Sequence, residues 1–266
     1  WLARRLFRSK HGAIIACDVN YRELGTLLTA PRLAAQVACN VMSTPFTDEM
    51  TVRRHQMVRD QIANRGVRDF RVLEVMRRIP RHEFVAEPYR FQAYGDRPLP
   101  IGGGQTISQP YMVAVMTEAL SVGRGDRVLD VGSGSGYQTA VLASLAELVV
   151  AVEQDLGLVK DAHATLQRVG ITNVLMRAGD GSVGAPEHQP FDAILVAAGA
   201  PSIPKPLLAQ LKDGGRLVVP VGSLSSQRLV IVRRNGDRYV ERLGCGCVFV
   251  PLVGQHGWED FGSKMT

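Results

Sequence analysis

The chain has 266 residues, of which 45% are hydrophobic and 21% charged, as suits a globular protein of one large or two small domains with a buried core. Its net charge of +6 does not mark a nucleic-acid binder: residues 1–41 hold six Lys or Arg (Arg4, Arg5, Arg8, Lys10, Arg22, Arg32) against Asp18 and Glu23, and the remainder is close to neutral, without a basic and aromatic stripe. No window reaches the ~18 apolar residues of a membrane span, and Asp18 interrupts the short apolar run GAIIACDV, which argues against a secretory signal. The chain opens on Trp1, with Met42 and Met50 as alternative starts, and residues 1–49 form an N-terminal extension to which nothing in the sequence gives a role.

A helix is expected from Thr47 or Asp48, with acids in its first turn, to Gly66, and a second over DFRVLEVMRRI, stopped by Pro80. From Arg90 to Ile107 the segment RFQAYGDRPLPIGGGQTI is loop-rich, with three consecutive glycines, and is the candidate mobile lid. Beyond it the pattern alternates: helix 109–120, strand 127–131, helix 137–146, strand 148–153, helix 157–169, strands 173–178 and 191–197, helix 205–212, strand 216–221. Such alternation predicts an α/β fold, Rossmann-like and doubly wound, with a mostly parallel sheet and helices on both faces. QRLVIVRRNGDRYVERL reads as two strands around Asn235-Gly236, the favoured two-residue hairpin turn, so an antiparallel C-terminal edge closes the sheet. Cys17, Cys39, Cys245 and Cys247 give neither zinc-ligand spacing nor a disulfide framework, and the CGC of 245–247 reads as strand packing, all consistent with reduced thiols in the cytoplasm. No metal site is expected.

The sharpest chemical signal is RVLDVGSGSGYQ at 127–138. Val128, Leu129 and Val131 suit a buried parallel strand, and glycines 132, 134 and 136 allow backbone N–H groups to approach a ligand where the next helix begins. The dinucleotide fingerprint G-x-G-x-x-G wants its third glycine at 137, where the chain has Tyr137, so a nicotinamide cofactor is disfavoured. One strand on, Glu153 ends LVVAVE 21 positions after Gly132, close to the ~20 expected of an acid that grips ribose hydroxyls. Asp180 and Gly181 end the next apolar stretch, which places Asp130, Glu153 and Asp180 at the carboxyl ends of neighbouring strands, the ligand-binding edge of open α/β sheets. Each acid taken singly is equally a helix cap or solvated strand end.

An acid at a strand tip followed by G-x-G-x-G resembles the first motif of class I S-adenosylmethionine-dependent methyltransferases. HQMVRDQIANRGVRDFRVLEVMRRIPRHEFV, IGGGQTISQPYMVAVMTEAL, FDAILVAAGAPSIPKPLLAQLKDGGRLVVPVG and FVPLVGQHGW, in this order, resemble the protein-L-isoaspartate O-methyltransferase family over roughly residues 55–258. The resemblance implies an enzyme that methylates the free α-carboxylate of isoaspartyl residues, and of D-aspartyl residues less well, to begin repair of damaged proteins. Its cofactor would be S-adenosyl-L-methionine and its partners isoaspartyl proteins and peptides. Beside the resemblance, a monomeric enzyme in the cytoplasm is expected, with neither nucleic acid nor membrane involved, and a methyltransferase domain over 50–266, with a helical part at 50–90, the cofactor-binding core at 108–222 and C-terminal strands at 227–252.

Carried over by position, Ser108 matches the family's active-site serine. Asp130, Gly132, Ser133, Gly134, Gly136 and Tyr137 match its cofactor loop, Glu153 with Gln154 the ribose side, and Asp180 with Gly181 the adenine side. Ile101, Gly104, Gln105, Thr106 and Ile107 match one substrate-gripping segment, and Val248, Val250, Pro251 and Leu252 the other. From local sequence alone Ser108, followed by Gln109 and Pro110, is as much a helix N-cap as a catalytic group, and both roles are compatible. His55, His82, His163 and His188 read as surface or packing residues. No general base is required, because a carboxylate with a reference pKa near ~4 is about a thousandfold more ionised than protonated at pH 7.

Overall fold

The computed structural model describes residues 5–8, 14–17 and 48–259. The chain divides into two compact units, Trp1–Thr47 and Asp48–Thr266. In the first, β1 (Arg5–Arg8) pairs antiparallel with β2 (Ile14–Cys17). Thr47, Cys39 and Met42 lie outside the described residues.

The second unit is built on a sheet in which β5 (Arg127–Val131), β6 (Leu148–Glu153), β7 (Val174–Ala178), β8 (Phe191–Val196) and β9 (Leu211–Gly222) run parallel. Two antiparallel strands, β10 (Gln227–Asn235) and β11 (Arg238–Cys247), complete the order β11-β10-β9-β8-β5-β6-β7. Buried strands must hide both faces, and period-two alternation divides their side chains between two cores. Val128, Val149, Ala151, Leu195 and Val218 join one core, which takes in α2 (Phe70–Arg78), α3 (Pro110–Leu120) and α4 (Tyr137–Ala143). Leu129, Val150, Ile194 and Leu217 join the other, covered in part by Leu207 of α6 (Lys205–Ala209). This is the doubly wound α/β fold that the alternation predicts. The chain leaves β5 toward β6 on one side and returns through β8 on the other, so a crevice opens beyond the carboxyl ends of β5 and β8.

Several boundaries differ from the sequence expectation. Helix α1 (Glu49–Gln56), entered through Asp48, does not run unbroken to Gly66: Met57–Ile62 widen into a π turn and Ala63–Arg65 tighten into a 3₁₀ turn before Gly66 at φ 103°. Met57, Val58 and Ile62 are fully buried there, so tertiary packing sets the local winding. The expected lid is partly ordered: Glu87–Gln92 form 3₁₀ turns, and β3 (Leu99–Gly102) pairs with β4 (Gln105–Ile107). Helix α4 ends at Ala143, three residues early, and α6 spans Lys205–Ala209 because the chain already joins β9 at Leu211. Helix α5 (Leu156–Arg168) starts at Asp155, whose carboxylate accepts from the N–H groups of Gly157 and Leu158. In the C-terminal hairpin Asn235 still pairs with Arg238, so the turn residues are Gly236 and Asp237.

Candidate functional site

The crevice at the switch point is a cleft of about 730 Å³. One wall is the turn after β5, where Gly132, Gly134 and Gly136 have φ of 78°, 51° and 84°, the left-handed region that other residues avoid. The turn is tied to β6: Gly132 and Ser133 N–H donate to Val152 O, and Gly134 N–H donates to Glu153 Oε2 at 3.0 Å. Glu153 Oε1 accepts from the N–H groups of Gln154 (2.8 Å) and Asp155 (3.1 Å). Three of about four lone-pair positions on this carboxylate are thus filled from the backbone, which leaves room for one further donor. Gln154 is exposed beside it on the same cleft.

Asp130 lies behind this wall and not on it. It is fully buried; Oδ2 accepts from the Thr139 hydroxyl at 2.6 Å, while Oδ1 has no partner among the described residues. Burial raises its carboxyl to about 7, against the lowering effect of the Thr139 hydroxyl and with a push from the Glu153 charge. Asp180 is also off the cleft: Oδ1 accepts from the Ser182 N–H and hydroxyl, Oδ2 from the Gln255 N–H. Burial favours its neutral form, but these donors outweigh it and hold the group below the usual carboxylate range. Asp180 therefore anchors the C-terminal loop, while its neighbour Gly181 lines the cleft.

The opposite wall is the chain entering α3. Gln105, Thr106, Ile107 and Ser108 line the cleft. The cap of α3 is Gln109 and not Ser108, with no side-chain capping bond, so the capping role allowed by the sequence is corrected. The Ser108 hydroxyl has no partner among the described residues, and its carbonyl accepts from Arg81 Nη2 at 2.8 Å. Arg81 is fully buried, donates also to Ala93 O and stands 4.8 Å from the Tyr137 ring; burial lowers its guanidinium to about 10. The third side is Val250, Pro251 and Leu252, stitched to the end of β8 by Gly199 N–H to Val250 O and Leu252 N–H to Gly199 O, each 2.8 Å.

A second cleft, of about 890 Å³, is lined by Val248, Phe249 and Cys247 and shares Thr106, Ser108, Ala197 and Val250 with the first. Of the remaining sequence candidates, Gly136, Ile101 and Gly104 line neither cleft. Ile101 Cδ1 instead lies 3.2 Å from where a Cβ on Gly134 would stand, and Gly104 is exposed at the β3–β4 tip. Sequence reasoning missed Val113, Ser135, Gln138, Val152, Ala197, Ala198 and Val253. Ala197 and Ala198 were accessible to it, because they follow strand β8 at the same sheet edge, and so were Ser135, Gln138 and Val152, which adjoin the glycine loop and Glu153 in sequence; Val113 and Val253 depend on contacts between distant segments.

Residues 52–257 match the model of the protein-L-isoaspartate(D-aspartate) O-methyltransferase family. The chain belongs to this family. A Syntrophobacter fumaroxidans protein-L-isoaspartate O-methyltransferase 1 is 52% identical over 207 residues, covering 77% of this chain and 96% of the relative. A Methanoregula boonei protein-L-isoaspartate O-methyltransferase is 52% identical over 221 residues, 82% and 100% respectively. Among solved structures, a protein-L-isoaspartate O-methyltransferase superposes with a TM-score of 0.70 at 31% identity, over 77% of this chain and 67% of its own. A Plasmodium falciparum protein of the same description, in complex with S-adenosyl-L-homocysteine, gives 0.66 at 26% identity, over 74% and 96%.

This methyltransferase uses S-adenosylmethionine, and its cleft fits that cofactor. A Cβ on Gly181 would stand 2.6 Å from Val131 Cγ1 and one on Gly134 3.2 Å from Ile101 Cδ1, so both glycines let the backbone of the wall pack closely on its neighbours. The buried Ser133 Oγ, with no partner among the described residues, is available to a ligand.

Proposed function

We propose that the Gly132–Tyr137 turn, Glu153, Gln154 and Gly181 hold S-adenosylmethionine in the first cleft, and that Val248–Leu252 and Gln105–Ile107 grip an isoaspartyl peptide where the second cleft meets the first. The enzyme transfers a methyl group from S-adenosylmethionine to the free α-carboxylate of L-isoaspartyl residues in damaged proteins and peptides, which starts their repair. The bound cofactor supplies a methyl group already made electrophilic by its sulfonium. The protein has to align the carboxylate oxygen with that methyl group and exclude water. The Ser108 hydroxyl, free of other partners, donates to the carboxylate and turns it toward the first cleft. Arg81 fixes the Ser108 backbone for that task. Glu153 accepts one ribose hydroxyl in its remaining lone-pair position and Gln154 takes the second.

The observation that carries this assignment is the meeting of the two clefts at Thr106, Ser108, Ala197 and Val250. A methyltransferase for nucleic-acid amines would need an (N/D)-P-P-(Y/F) acceptor cluster after β8, where this chain has AAGAP at 197–201. Among the described residues no helix is long and apolar enough to cross a membrane. Cytoplasmic residence and action as a monomer, without nucleic acid, complete the proposal; the charges of Arg238, Glu241 and Arg242 along edge strand β11 disfavour strand pairing between copies.

Ser108→Ala tests the serine's role. Turnover of an isoaspartyl peptide per folded molecule should fall at least about tenfold, equivalent to ~1.4 kcal/mol of transition-state stabilisation, while calorimetric affinity for S-adenosylhomocysteine stays near wild type. A folded variant that methylates at the wild-type rate removes Ser108 from catalysis.

A further inference from the structure

Gln138, in the first turn of α4, is a buried polar side chain on the cofactor cleft, and no motif singles it out. Its amide is not free to turn. Thr117 Oγ1 donates its single proton to the carbonyl of Val113, 2.7 Å away and four residues back in α3. That oxygen is left with lone pairs only, so it must accept from whatever faces it. What faces it is Gln138 Nε2, at 2.9 Å. The nitrogen is thereby committed to Thr117, and the carbonyl Oε1, which has no partner among the described residues, is the end left for the cleft.

A hydrogen-bond acceptor fixed in a nearly dry wall favours a donor and disfavours an anion. We propose that Gln138 Oε1 receives the α-ammonium group of the amino-acid part of S-adenosylmethionine, an assignment that rests on the cofactor reading given above. The position in the cleft selects this group. Glu153 and Gln154, assigned to the ribose, stand at the end of β6, whereas Gln138 reaches from α4 to α3, and Val113, to which Thr117 is bonded, lines the cleft together with Ser108. At the amino-acid end of the cofactor the ammonium carries N–H donors, the carboxylate carries none, and the sulfonium has no polar hydrogen. Thr117 is a positioning residue in this arrangement, since it acts only by holding the amide of Gln138.

Calorimetry on the purified full chain tests the assignment with three probes: S-adenosylhomocysteine, the same molecule with its α-amino group replaced by hydrogen, and 5′-methylthioadenosine, which lacks the amino-acid part. In the unmodified protein, loss of the amino group should weaken binding about tenfold or more, the effect of one hydrogen bond to a charged group. Gln138→Leu should weaken S-adenosylhomocysteine by a similar factor, bind the deamino compound as the unmodified protein does, and leave 5′-methylthioadenosine within about twofold. Thr117→Val should weaken S-adenosylhomocysteine several-fold in the unmodified background and have no effect on it in Gln138→Leu, a split that a merely structural role would not produce. The assignment fails if the unmodified protein binds the deamino compound as tightly as S-adenosylhomocysteine, an arm that needs no folded variant. It fails equally if Gln138→Leu binds S-adenosylhomocysteine normally or loses all three probes in parallel. An unmodified protein that binds none of the probes would instead overturn the cofactor reading itself.

Discussion

Asp130 is where burial and chemistry conflict most sharply. Its carboxyl is removed from water with one oxygen on Thr139 and the other without a protein partner among the described residues, and its folded pKa rises to about 7, chiefly through that burial. An unfolded chain ionises the same acid near ~4. Between these values the native state holds a proton that the unfolded state has lost, so the contribution to stability is fully present below about pH 4 and is lost as pH rises toward 7, at up to ~1.4 kcal/mol per pH unit. Asp130→Asn removes this titration. Urea unfolding of the variant should therefore show a shallower fall in stability from pH 4 to 7 than the wild type. Equal slopes for the two proteins would mean that Asp130 ionises normally in the folded state. The acid itself was legible in the sequence as a strand-tip residue, but its retreat behind the cleft was not, because that depends on Thr139 closing over it from α4. Arg81 is a similar case: nothing in PRHEF tells that its guanidinium ends under Ser108, 27 positions away.

At the level of elements, the β3–β4 hairpin is the part most suited to move. Gly102, Gly103 and Gly104 all take positive φ at its tip, and a Cβ on Gly103 would stand 2.8 Å from Asp155 Oδ2, so the tip rests against the start of α5 beside Glu153. Its second strand leads directly into Thr106, Ile107 and Ser108 on the cleft wall. Amide exchange over Leu99–Ile107 should slow when S-adenosylhomocysteine and an isoaspartyl peptide are both present. Exchange that is equally slow in the free protein would make the hairpin a fixed wall. Here the sequence was informative in an uneven way. The three glycines announced an unusual turn, yet with only Leu99–Ile107 to read, the strands around it lacked the length that makes a period-two pattern stand out. The strands of the parallel core, with continuous runs of Val, Leu and Ile, had that signal and fell where the pattern placed them. The π turn at Met57–Ile62 had no local signal, since its residues are ordinary helix formers and the extra winding is set by what they bury.

Across the whole molecule, one sheet with two cores brings together residues that the chain holds far apart. The loop after β5 supplies the wall proposed for the cofactor, the entry to α3 supplies Ser108, and the tail after β11 returns past Gly199 to supply Val250–Leu252. The proposed cofactor half was readable because most of its residues fall in one strand-turn-helix and the others at the ends of the next two strands. The acceptor half was legible only through family likeness, since its walls come from segments more than a hundred positions apart. Methylation of isoaspartyl carboxylates at this junction is measured by methyl incorporation from labelled S-adenosylmethionine into an isoaspartyl peptide, its normal aspartyl twin and RNA, side by side. Base-labile methyl ester should form on the isoaspartyl peptide, with the aspartyl twin and RNA at background. Equal labelling of the two peptides, or labelling of RNA alone, would contradict this assignment.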